Sequence, residues 1–270
     1  MLESASLFSV NDRVLIKPNY VGSKLPSTGA VTDTQVVSTV IRFLKNRGVH
    51  DIVVGDGGCW DDTKETFNLV GIKQLAHEER VELVDLNTDI KVNVEIPHAS
   101  IMKKVRIAKT PLECDSIINI PKMKVHELAG VTLSMKNLMG IISPAPGARD
   151  RATIMHDRLA EKLVDFASYI KPVINIIDGS VGMEGSAWWG NAVPMDVIVG
   201  GRDMVAVDAI GAYVMGIDPR NIEHIRLASE RGLGTLSMRS IDVIGEIVED
   251  VRRTFRPPDL ERYHRIRRKP

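Results

Sequence analysis

Apolar residues in this chain gather into short β-branched runs, separated by stretches where they recur every three or four positions. The first run, Arg13 to Ile16, ends in Lys17-Pro18-Asn19. Proline cannot continue a central strand, so Lys17 and Asn19 are placed at its carboxyl end. A Gly/Ser/Pro-rich loop leads to residues 34–47, where Val36, Val37, Val40, Ile41 and Leu44 define a helix face. Asp33 or Thr32 is its cap and Gly48 its stop. Asp51 to Val54 is the second strand and runs into Gly55-Asp56-Gly57-Gly58. Residues 63–70 and 72–80 read as two short helices divided by Gly71, and 81–86 as a third strand. An order βαβαβ with helix-length connections predicts a parallel sheet.

The pattern then changes. Residues 92–96 and 104–108 alternate over short spans, which suits a hairpin better than further βα units. Ser116 to Ile120 is again a buried strand, 141–155 an irregular loop, and 159–170 an amphipathic helix. Residues 172–177 form a strand ending in Asp178-Gly179, and the Gly-rich segment 180–194, with Trp188 and Trp189, reads as a flexible flap. Strands at 195–199 and 241–244, the latter closing the sheet, bracket helices at 204–214 and 221–231. The fold class is therefore α/β: a mostly parallel sheet with helices on both faces, plus a small antiparallel hairpin. Residues 1–250 are expected to form one domain, or two lobes meeting near 116–180, followed by a basic tail at 251–270.

Composition narrows the partners. A formal net charge of zero gives no global field for nucleic acid or an anionic membrane. The tail is the exception, with Arg252, Arg253, Arg256, Arg262, Arg265, Arg267, Arg268 and Lys269 against Asp259 and Glu261. Such a tail is expected to be solvated or to dock a second subunit of a homo-oligomer. Cys59 and Cys114 form no CxxC pair, so no intrinsic iron–sulfur cluster or zinc knuckle is encoded. Reduced cysteines are a simpler reading than a disulfide between them. The chain also lacks a signal-peptide pattern and any apolar run of about 18 residues, so a cytoplasmic location is expected.

The densest chemistry lies in Asn119–Gly140, NIPKMKVHELAGVTLSMKNLMG. Lys122, Lys124 and His126 alternate with Met123 and Val125, so in an extended segment the three polar side chains share one side. Thr132 is placed to cap a helix whose first turns carry Lys136 and Asn137, and free N–H groups at a helix start favour an anion. Nearly every strand ends in a polar residue or glycine, and open α/β sheets bind ligands at that edge. On this basis Lys17, Asn19, Asp56, Lys122, Lys124, Asn137 and Asp178 are assigned to ligand binding, and His126, His156 and Lys136 to catalysis. A solvated stripe is the bland alternative for the alternating cations, and helix capping for Asp203. Arg149 and Arg151 form a candidate clamp for a carboxylate or phosphate, with a mobile charged loop as the alternative. His126, His156, Asp178 and Asp208 could meet at a metal, although no spacing signature marks one. Gly55-Asp56-Gly57-Gly58 lacks dinucleotide-binding spacing, and no Walker lysine follows a glycine loop.

Several pieces together resemble the domain of unknown function 362: VLIKPN (14–19), TDTQVVSTVIRFLKNRG (32–48), IVVGDGG (52–58), IINIPKMKVH (117–126), GVTLSMKNLMG (130–140), the His156 segment, INIIDG (174–179) and DMVAVDAIGAYVMG (203–216). Relatives frequently carry or neighbour a ferredoxin-like module with four-iron clusters; this chain lacks the cysteines for one, so the resemblance implies that a redox role here would need a partner. The order Lys-x-His, glycine, Lys-Asn helix, then His is also similar to the nickel-pincer lactate racemase domain. That likeness implies a metal ion or nickel-pincer-like cofactor and singles out Lys122, Lys124, His126, Lys136 and His156. The leading expectation is an enzyme or cofactor-handling protein, racemase-like or an oxidoreductase, that binds a small anionic substrate or cofactor in a Lys/His-lined crevice. The alternative is a non-catalytic partner of a ferredoxin or other iron–sulfur protein.

Overall fold

The computed structural model describes residues 7–148 and 151–267. Its first half runs β1 (Arg13–Pro18), α1 (Thr34–Lys45), β2 (Asp51–Asp56), α2 (Thr63–Leu69), α3 (Ile72–Glu78) and β3 (Glu82–Asp85). Then come β4 (Lys91–Glu95), β5 (Lys104–Ala108), α4 (Thr110–Glu113), β6 (Ser116–Ile120), β7 (Lys122–His126), β8 (Gly130–Thr132) and α5 (Ser134–Asn137). The second half adds α6 (Ala152–Met155), α7 (Leu159–Tyr169), β9 (Ile174–Glu184), β10 (Asn191–Gly201), α8 (Met204–Val214), α9 (Glu223–Glu230), α10 (Val248–Val251) and α11 (Leu260–Arg267).

The main sheet follows the order β3-β2-β1-β6-β9-β7-β8, with β10 on the other edge of β9. Its β1, β2, β3, β6, β7 and β9 pairings are parallel, whereas β8 and β10 pair antiparallel. The β4–β5 hairpin stands apart as a two-stranded antiparallel sheet. This is the α/β architecture that the alternating pattern predicts. Both faces of the central strands are covered, which explains why β1, β2 and β6 are almost continuously apolar. Val14 and Ile16 face one layer with α1, α2 and α3, while Leu15 faces the other with α7, α8, α9 and the hairpin. Asp33 rather than Thr32 caps α1, accepting from the Gln35 N–H. Thr32 instead tethers two strand ends, accepting from Asn19 N and donating to Ile120 O. Among the described residues, no helix is long and apolar enough to cross a membrane.

Four local expectations are corrected. Residues 180–194 are not a flap: β9 and β10 extend through them as a long hairpin, with only the turn at 185–190 outside the strands. Glycine there marks close packing, since a Cβ at Gly182 would lie 2.6 Å from the Phe255 ring. Thr132 caps nothing and ends β8; α5 is capped from a distance by Asp208 of α8, which accepts from Ser134 N at 2.6 Å and Met135 N at 3.0 Å. The N–H groups expected to favour an anion are therefore already taken. Residues 241–244 form no strand, and Ile244 is 82% exposed. Arg151 is a buried cross-link rather than a clamp, donating to Ile142 O, Gly58 O and Asn87 Oδ1. Arg149 lies outside the described residues, as do Arg268 and Lys269 of the tail.

The described part of the C-terminal segment packs back on the body. Phe255 is buried against Gly182, Arg256 pairs with Glu184, and Asp259 N–H donates to Gly185 O. This brings α11 to the turn between β9 and β10.

Candidate functional site

Two of the predicted ligand-binding lysines are held in buried ion pairs. Lys17, at the end of β1, meets Asp56 at 2.6 Å, and both are essentially inaccessible. Asp56 also accepts from Tyr20 N, and the pair packs so closely on Gly140 that a Cβ there would overlap Asp56 Oδ1. Lys122 meets Asp178 at 2.8 Å with no exposure on either side chain. Asp178 is saturated by further donors: Asp33 N on Oδ2, and Ser180 N and Oγ on Oδ1. The first pair ties the carboxyl ends of β1 and β2, and the second joins the start of β7 to the middle of β9. Lys17, Lys122 and Asp178 do not line the neighbouring cavity, and Asp56 borders it.

The cavity, of about 140 Å³, brings together Asn19, Lys124, His126, Lys136, Asn137 and His156 from the predicted set. Here the cations lack carboxylate partners of their own. Lys124 donates to Ala30 O at 2.7 Å. Lys136 makes no hydrogen bond or ion pair among the described residues. Burial, with each ammonium repelled by neighbouring cations, lowers Lys124 to about 7 and Lys136 to about 8. Both therefore exchange protons close to neutrality, which an ordinary lysine does not.

Hydrogen bonding fixes the orientation of the other polar groups. His126 Nδ1 accepts from Leu128 N at 3.1 Å and Ala129 N at 3.2 Å, so the neutral ring carries its proton on Nε2. Burial first, then Lys136 and Lys124, hold His126 well below its ordinary value and keep it neutral. An amide relay does the same for Asn19. Asn119 Nδ2 must donate to Ser134 O, leaving its Oδ1 to accept from Asn137 Nδ2; Asn137 Oδ1 then accepts from Asn19 Nδ2 at 2.7 Å. Asn19 Oδ1 is the end of the chain and has no partner. Thr132 is the cross-strand partner of Lys124, so its side chain lies on the same face, and its Oγ1 is buried without a partner.

Sequence reasoning missed Cys59, Trp60, Glu127, Thr132 and Tyr263 as lining residues, and it read Trp188 and Trp189 as anchors of a flap. A signal existed for the tryptophans. The chain has three, and all of them line this cavity. Trp60 and Trp188 stack with rings 9° apart, and Trp189 meets Trp60 edge-on. Glu127 holds the turn that presents Trp188 and Trp189, accepting from Ser186 Oγ and Ala187 N. Among the described residues, no group of three or more His, Cys, Asp or Glu side chains is placed to hold a metal ion.

Comparison with known proteins gives a thylakoid-associated protein of Synechocystis as a relative, 25% identical over 228 residues, covering 82% of this chain and 68% of the relative. Among solved structures, the lactate racemase apoprotein from Thermoanaerobacterium thermosaccharolyticum matches with a TM-score of 0.46 and 15% identity, over 76% of this chain. This chain spans about half of that structure's length, 49%. The family model described as domain of unknown function, DUF362, matches residues 14–213, which cover strands β1 to β10 apart from Arg13 and include all the predicted site residues, and the chain belongs to that family.

Proposed function

We propose that the protein binds a small anion against Lys124 and Lys136 and transfers a proton on it. The observation that carries this reading is the contrast among the four lysines of the predicted site, Lys17, Lys122, Lys124 and Lys136. Lys17 and Lys122 are neutralised by Asp56 and Asp178, whereas Lys136 faces a cavity with no counter-charge bound to it. An uncompensated ammonium in a desolvated site is costly, and an anionic ligand supplies the missing partner. About 140 Å³ accommodates a small carboxylate or phosphate compound.

In this reading Lys17, Asp56, Lys122 and Asp178 are the frame, and Asn137 positions Asn19. Lys124 and Lys136, each near its midpoint at neutral pH, serve as acid and base. His126 works as a neutral N–H donor from Nε2 toward charge that develops on the substrate. That arrangement does not suit His126 as a metal ligand. A neutral imidazole binds metal through a bare Nε2 only when Nδ1 carries the proton, and here Nδ1 faces two N–H donors. A nickel-pincer-like cofactor seated on His126 therefore does not fit. His156 lines the same cavity as its second imidazole.

The test is calorimetry and thermal-shift measurement of the purified full chain against a panel of small carboxylates and phosphates. At least one member should bind to the wild type, with Lys136→Met weakening it by tenfold or more. If no anion binds, or Lys136→Met leaves binding intact, the reading is wrong.

A further inference from the structure

We propose that Cys59 is a nucleophile of this cavity, directed at small electrophiles that carry a negative charge. The inference rests on the anion-binding reading above and extends it to a residue that has no part in it. Cys59 lies in the loop leaving β2 at the ligand-facing edge of the sheet, where the N–H groups of Cys59 and Trp60 both donate to Val21 O. It is partly exposed and lines the same cavity as Lys124, Lys136 and His126. Both lysines lie within electrostatic range of its sulfur, and a Cys59 thiolate favours their protonation. By reciprocity, the two ammonium groups favour the thiolate, the form that reacts.

A cysteine near cations is not a site in itself. The cavity also holds buried polar groups that await a ligand. Thr132 is 4% exposed, shares the Lys124 face of β7–β8, and has an unpartnered Oγ1. Asn19 is 8% exposed and ends the amide relay with an unpartnered Oδ1. A polar solute that satisfies these two residues and Lys136 occupies the space that Cys59 lines.

The chemistry that fits is addition to an anionic carbonyl compound, an aldehyde or oxo group on a carboxylate or phosphate. The thiolate sulfur forms a bond to the carbonyl carbon while the carbon–oxygen π pair moves to oxygen. That oxygen takes a proton from a lysine ammonium of the cavity. Nothing leaves, no oxidant is consumed, and the reverse steps release the carbonyl compound.

Cys114 is an internal control, because burial pushes its thiol up to about 11, beside Asp51 and Glu82. The experiment is alkylation of the native full chain at pH 7.5 by iodoacetate and, separately, by iodoacetamide. In both reagents sulfur displaces iodide from carbon, and only the first carries a charge. Peptide mass spectrometry reads the rate at each cysteine, with a neutral cysteine peptide as the reference thiol. The iodoacetate-to-iodoacetamide ratio at Cys59 should exceed the reference by about tenfold or more, as a cation-lined cleft concentrates anions. Inorganic phosphate should slow the reaction at Cys59, and Lys136→Met should return its ratio toward the reference. A Cys59 ratio equal to the reference, or modification of Cys59 only after unfolding, overturns the proposal. Calorimetry with phosphate on the same sample separates the two readings: binding together with an ordinary ratio overturns only the role of Cys59, and no binding with an ordinary ratio overturns both.

Discussion

Replacing Lys136 by Met should make the protein more stable at neutral pH while weakening anion binding by tenfold or more. The folded protein lowers Lys136 from 10.5 to about 8, chiefly by burial. In the unfolded chain the lysine stays protonated up to about pH 10.5. Between about pH 8 and 10.5 the unfolded state therefore binds more protons, and stability rises with pH across that window. Below about pH 8 the whole penalty is in force. At about 1.4 kcal/mol for each tenfold change, it comes to about 3.5 kcal/mol as an upper bound, and relaxation of the cavity reduces it. Methionine keeps the length of the side chain without the charge, so Lys136→Met should gain roughly 1–3 kcal/mol at pH 7, or roughly 2–10 °C in melting temperature. Removing one ammonium also relieves the neighbouring Lys124, whose depression to about 7 is due partly to Lys136. Urea denaturation at pH 7 and pH 10 is the assay. The wild type should be the less stable protein at pH 7 and should close much of the gap at pH 10. A Lys136→Met protein that is less stable than wild type at pH 7, with a wild-type stability flat from pH 7 to 10, refutes the argument that this lysine is held without a partner.

Other perturbations separate frame from site. Lys122→Met leaves Asp178 buried without its cation and should cost about 3–5 kcal/mol by denaturant titration; a cost under about 1 kcal/mol would show that the pair does not hold the strands. Anion binding at pH 8 should take up a proton, because Lys124, with its pKa near 7, is mostly neutral before the ligand arrives. Calorimetry in buffers of different ionisation enthalpy reads that uptake, and a buffer-independent heat would remove Lys124 from the ligand shell. Gly182→Ala should loosen the C-terminal segment by driving a methyl into Phe255, seen as faster proteolysis after Val251 with the α/β body intact. All three tryptophans line the cavity, so ligand binding should change the intrinsic fluorescence of the whole protein; an unchanged spectrum at saturation would place the ligand elsewhere.

The parts of the fold that were legible in sequence are those set by local periodicity. The β1–β3 units, the β4–β5 hairpin and α1 follow from spacing and turn chemistry alone, while the choice of Asp33 over Thr32 as its cap needed the structure. What failed depended on contacts distant in sequence. The glycines of 179–182 look flexible until Val197 and Phe255 are known to press on them. Thr132 looks like a cap until Asp208, 74 residues from Ser134, takes the same N–H groups. The cluster of cations was visible as a cluster, but not its division into paired and open members. Lys122 and Lys124 occupy equivalent positions of one alternating strand, and only the register of β7 against β9 places a carboxylate beside the first. Cys59 could not have been found from spacing, since it reaches the lysines only through the packing of the β2 loop on β1's exit at Val21.

That division also explains how one short segment can serve stability and chemistry together. Lys17 and Lys122 each neutralise a carboxylate from another strand, so their desolvation is offset by ionic hydrogen bonds at 2.6 and 2.8 Å. The frame they make is rigid because each carboxylate also accepts backbone N–H groups, from Tyr20 in one case and from Asp33 and Ser180 in the other. Rigidity is what allows the neighbouring positions to remain unsatisfied. Lys136 cannot swing to a carboxylate when α5 is fixed by Asp208, and Asn19 cannot turn its carbonyl away when the amide relay fixes its other end. A pocket that held its own counter-ions would gain stability and lose its proton exchange near neutrality. On the anion-binding reading, the lysines without carboxylate partners, the bare Asn19 carbonyl and the Nε2–H of His126 are one arrangement with a common cause: a paired frame that holds these groups in place for a ligand to complete.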